Sequence, residues 1–167
     1  MVLGMSLPAF TMLHVVISLI AIVSGLVVMF GLLGSRSMPG LTAIFLSFTI
    51  LTSATGFLFP FQELLPSHMV GILSLVLLAI ACIALYGVKL AGAWRPVYVV
   101  TAMTSLYLNV FVLVIQSFLK VPTLHALAPD VPSSGPVFGV VQGIVLVFFV
   151  LVIIGAWRRF RPAASFA

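Results

Sequence analysis

The sequence has almost no acid. Of its 167 residues only Glu63 and Asp130 carry a carboxylate, against seven lysines and arginines. Charged residues make up 5% of the chain, where a soluble domain of this size has about 25%. A chain this poor in charge, and 63% hydrophobic, cannot cover itself with polar surface in water. Lipid must cover it, which excludes a soluble enzyme or a free nucleic-acid-binding domain. The net charge of +5 does not change this. The basic residues stand at the ends of apolar runs, where topology signals lie, and form no basic face for nucleic acid.

Cysteine is also scarce. Cys82 is alone inside an apolar run, has no partner for an internal disulfide, and reads as a small buried hydrophobe. There is no P-loop, no GxGxxG after a strand, no HExxH, no CxxC and no Ser-His-Asp arrangement with a buried acid. None of the apolar runs holds a carboxylate, which weighs against a proton pump built on acidic relays. The opening "MVLGMSLPAFTML" has no basic region ahead of its apolar run, so the first span is expected to stay in place rather than be cleaved.

What the chain does have is long apolar runs punctuated by proline. Pro8, Pro39, Pro66, Pro96 and Pro136 each stand at the start of one, where a missing N–H costs a helix nothing. They divide the chain into spans near 8–33, 40–61, 66–90, 96–119 and 136–157. Each has about 20 residues or more, enough to cross a hydrocarbon core of about 30 Å. The fold class is therefore all-α, a polytopic bundle of five transmembrane helices forming one membrane domain. Short links such as "GSRSMPG" and "GAWRP" make neighbours antiparallel. Ser134 is the expected N-cap of the last span, and the segment from Lys120 to Gly135 is expected to lie over the bundle mouth. Arg36, Lys89, Arg95, Arg158, Arg159 and Arg161 all fall on one side, with Lys120 opposite. The positive-inside rule then puts the N-terminus outside and the C-terminus in the cytoplasm. Trp94, Tyr98 and Trp157 fall at the inner interface, where aromatic rings with a polar edge concentrate.

Strongly polar side chains inside the spans are few: His14, His68, Asn109, Gln116 and Gln142. At about 1.5 Å per residue, His14 and Gln142 lie about 9 Å below the outer ends of their spans, Gln116 about 6 Å and His68 about 3 Å. Asn109 is near the midplane. Asn109 and Gln116 are seven residues apart and share a helix face, and His14, Ser18, Ala21 and Gly25 form a similar stripe. Together they suggest an outer-half pocket holding His14, Asn109, Gln116 and Gln142. Each carboxamide has two readings, helix–helix glue or ligand contact. Histidine adds the capacity to ligate haem or carry a proton, and His14 and His68 are the candidate haem ligands, with no metal indicated beyond haem iron or copper.

Three functions fit these residues. One is a small ligand-binding or redox subunit holding a b-type haem or a quinone. Another is a permease or channel for a small solute. The third is a non-catalytic scaffold or accessory subunit. The small-residue ridge Gly135, Gly139, Gly143 on the last span is the expected docking face for a second copy or another membrane subunit. The sequence does not decide whether the protein is an enzyme.

The run "LYLNVFVLVIQSFLKVPTLHALAP", Leu106 to Pro129, together with "TGFLFPF", Thr55 to Phe61, resembles a group of uncharacterised small multi-span bacterial inner-membrane proteins. The resemblance implies a bacterial inner-membrane setting and carries over no activity, cofactor or site residue.

Overall fold

The structure is a computed structural model that describes residues 2–60, 66–129 and 136–162. Among them are five long helices: α1 (Leu7–Leu33), α2 (Pro39–Gly56), α3 (Pro66–Cys82), α4 (Trp94–Lys120) and α6 (Pro136–Arg159). All five are long and apolar enough to cross a bilayer once α3 is taken with its continuation to Gly87. Apolar side chains such as Val23, Phe30, Ile144 and Leu151 point out of the bundle, where only lipid can cover them. The chain is a multi-pass membrane protein.

Proline opens α2, α3 and α6 at their first residue, and Ser6 caps α1 by accepting from the Ala9 N–H. Two departures from the sequence pattern follow from local chemistry. The segment after α4 is not a plain loop, because Pro122 starts a six-residue helix, α5 (Pro122–Leu127). α3 continues through a π-helical turn, Ile83–Gly87, before the chain reverses through left-handed backbone at Lys89, Leu90 and Gly92. Leu90 tolerates that backbone because its side chain is buried in the core. Ser134, Gly135, Glu63 and Asp130 lie outside the described residues.

Helices α1 to α4 form a ring in which each packs on the next and α4 closes against α1; α6 lies outside it, against α4 and α1. The basic residues after α1, between α3 and α4, and after α6 all gather at one end of the ring. We call this the basic end and the other the N-terminal end. The main apolar core is displaced toward the basic end. It draws Val28, Met29 and Leu32 from α1, Phe45 and Leu46 from α2, Leu78 and Leu85 after them, and Tyr98 to Leu106 from α4. A smaller cluster, Phe118, Ala128 and Phe138, ties α4, α5 and α6 together at the N-terminal end. Trp94 and Trp157 are exposed at the basic end as expected of interfacial rings. Tyr98 is not: it is 1% exposed, in the core, where it borders the same small cavity as Thr42.

Candidate functional site

Tyr98, Ala102, Ser105, Asn109, Gln116 and Lys120 recur at helical steps and share one face of α4. Their burial changes along that face. The first three are buried, Asn109 is half-buried, and Gln116 and Lys120 are exposed. The stripe on α1 behaves alike: Gly25 and Ala21 are buried, Ser18 and His14 half-buried. Near the basic end the two helices are in tight register, since a Cβ added at Gly25 would stand 2.6 Å from Leu106 Cδ1 and 2.8 Å from the Phe45 ring. Toward the N-terminal end the same faces are less covered: His14, Ser18 and Asn109 are half-buried, and Gln116 and Lys120 are exposed. We call this less covered strip along α1 and α4 the crevice.

His14 is anchored to the far side of that crevice. Its Nδ1 lies 2.8 Å from Thr55 Oγ1 on α2. The Thr55 hydroxyl gives its own proton to the Leu51 carbonyl at 2.7 Å, the usual back-bond of a helical threonine. With that proton committed to Leu51, the threonine oxygen can accept, which favours the His14 tautomer with its proton on Nδ1 and its lone pair on Nε2. Phe59 packs its ring against the His14 ring edge to face at 5.2 Å and against Phe10 at 4.9 Å, which fixes the imidazole plane.

The carboxamides part company. Gln142 on α6 donates from Nε2 to the Phe111 carbonyl of α4 at 3.0 Å. Phe111 is about 200° around α4 from Asn109, so Gln142 serves a different helix pair. Asn109 Nδ2 is buried and has no hydrogen-bond partner. Gln116, on the same face as Asn109, is exposed rather than turned into a closed interior. His68 is buried, not wet, at 5% exposure, with its ring 5.6 Å from that of Phe57; His125 is exposed on α5. Of the residues expected to share an outer-half pocket, His14, Asn109 and Gln116 lie on the two faces of the crevice, whereas Gln142 bonds to the other side of α4 and His68 lies against Phe57 at the start of α3. Gly139 and Gly143 face outward with nothing within 4 Å of an added Cβ, so among the described residues no helix packs on this part of the ridge.

The sequence alone does not single out Thr55 as the partner of His14. A hydroxyl recurs on one face of α2 at Thr42, Thr49 and Ser53, and Ser53 meets Ser74 of α3 at 3.2 Å. Thr55 stands about 160° around the helix from Ser53, so that recurrence does not point to the hydroxyl that meets His14. Among the described residues no three His, Cys, Asp or Glu side chains gather as metal ligands. Beside the crevice runs a groove of about 330 Å³ between α1, α4 and α6, lined by apolar residues including Ile22, Leu26, Leu113 and Phe148. The chain matches no protein-family description, and neither characterised proteins nor solved structures are significantly similar to it.

Proposed function

We propose that the protein is a ligand-binding subunit of a bacterial cytoplasmic membrane, with its basic end in the cytoplasm. Its crevice would take a lipid-soluble molecule with hydrogen-bond acceptor oxygens, of which a quinone head group is the type. The buried, unpartnered Nδ2 of Asn109 carries this reading. In a region without water an unpaired amide donor costs a few kcal/mol, at roughly 2–7. A carbonyl oxygen entering along Gln116 would satisfy it, and the His14 Nε2 lone pair would accept a hydroxyl from the same or a reduced head group. The apolar groove beside Leu113 offers an adjoining bed for a tail.

Haem fits less well. A b-type haem between helices needs two imidazoles facing one another across a slot. Here phenylalanine rings lie against both candidates, Phe59 on His14 and Phe57 on His68. The quinone form of the redox reading is the one these residues support.

Extraction of the purified protein, followed by mass spectrometry, tests the proposal together with titration of menadione and short-chain ubiquinone. We expect a bound lipid-soluble carbonyl compound in the wild type and none in Asn109→Leu. Equal retention by both proteins would remove Asn109 from the site.

A second reading, small-solute permeation, is favoured by one observation: the polar stripe of α4 runs from Tyr98, sealed in the core, to Lys120, exposed at the N-terminal end. Uptake into proteoliposomes separates it from simple binding.

A further inference from the structure

The basic end is shut by the chain's own C-terminal segment. α6 stops at Arg159 because Pro162 disfavours helical backbone at Arg161. The chain then turns across the base of the ring. Phe160 is 3% exposed, and its ring centre lies 6.3 Å from that of Tyr98. Its carbonyl accepts from Arg95 Nη1 at 2.6 Å. Arg161 makes a reciprocal pair with Ser35, in which its N–H donates to Ser35 Oγ at 2.8 Å while that hydroxyl donates to the Arg161 carbonyl at 3.1 Å. Ser35 holds left-handed backbone, φ 54°, to make this pair. Non-glycine residues keep such backbone only where their surroundings impose it.

Behind Phe160 is a cavity with room for about one water, bordered by Ser37, Thr42, Tyr98 and Leu85. Ser37 Oγ is buried there without a partner. Tyr98 is also the last residue of the α4 stripe whose other end borders the crevice. The plug therefore stands at the foot of the one face of α4 that carries polar groups from end to end. Its fastening is the part-buried Arg95–Phe160 bond and the exposed Ser35–Arg161 pair.

We infer that Phe160 and Arg161 form a removable plug: a gate that seals the basic end of the ring and, on leaving, exposes the Ser37–Tyr98 cavity to solvent. The gate rests on neither reading of the crevice.

The test is thiol accessibility in the full-length purified protein. Ser37→Cys in a Cys82→Ala background is exposed to a bulky charged maleimide, with Trp157→Cys as the exposed control. Labelling of Ser37→Cys is slow in the parent. Phe160→Ala and Arg95→Gln each speed it by about tenfold or more, as loss of a charged or packed contact shifts a closed–open balance. Phe160→Leu, which still fills the base, stays slow. Fast labelling in the parent, or equal rates in all variants with Trp157→Cys unchanged, overturns the gate. Should Phe160→Ala fail to fold, Arg95→Gln decides alone, since it alters only the fastening.

Discussion

Gln142 gives its amide proton to the Phe111 carbonyl at 3.0 Å, while Asn109, two residues earlier on the same helix, keeps a buried amide nitrogen with no partner. Two carboxamides at similar depth in the bundle thus do different work. Gln142 joins α6 to α4 and leaves its own Oε1 buried without a partner, whereas neither helix–helix bond nor cap uses the Asn109 amide nitrogen.

Replacing each should separate the two roles. Gln142→Leu removes an interhelical bond and should lower stability by about 0.6 kcal/mol, at most about 1.7. Asn109→Leu removes an unsatisfied donor and should leave the melting temperature unchanged or raised, while binding is lost. Thermal melts in detergent compare the two directly. A clear loss of stability in Asn109→Leu would assign that side chain to packing.

The His14–Thr55 contact should show as coupling. A double-mutant cycle of His14→Phe and Thr55→Val is expected to return about 0.6 kcal/mol, and up to about 1.7. Nitrogen NMR of labelled histidine should find the His14 proton on Nδ1. A proton on Nε2 would reverse the direction of that hydrogen bond.

Gly25 holds α1 against two side chains. Gly25→Ala puts a methyl group 2.6 Å from Leu106 Cδ1 and 2.8 Å from the Phe45 ring, and overpacking of this kind costs about 1–3 kcal/mol. Adding Leu106→Ala should restore part of the loss. A Gly25→Ala protein as stable as the wild type would mean the helices separate there at no cost.

Gly143→Leu should leave the stability of the single chain unchanged, because nothing stands within 4 Å of that position. A larger species in native electrophoresis of the wild type, lost in this variant, would identify the ridge as a docking face. The melt and the gel are read on the same preparation.

Orientation has its own measurement. With Cys82→Ala as background, an impermeant thiol reagent should label Thr123→Cys from outside intact cells. It should reach Trp157→Cys only after lysis. The reverse pattern would put the basic end outside.

Much of this protein is legible in the sequence because it depends on short-range chemistry. Five apolar runs of bilayer length must become helices, since lipid offers no partner to an unpaired backbone group. Proline marks where several begin, as Pro39, Pro66 and Pro136 show. The period of the helix likewise puts Asn109 and Gln116 on one stripe. It cannot say how deeply that stripe is covered, because coverage belongs to the neighbouring helix. Residues near the basic end are covered because Gly25 admits Leu106 and Phe45, and those toward Lys120 are left exposed. The same limit applies to the clasp between Ser35 and Arg161, which are 126 residues apart. No local pattern announces a serine hydroxyl meeting a backbone strand of the far terminus. Periodicity along one helix determined what each residue can present; the way the helices lean on one another decided which of those groups meet, which are sealed, and which face open space.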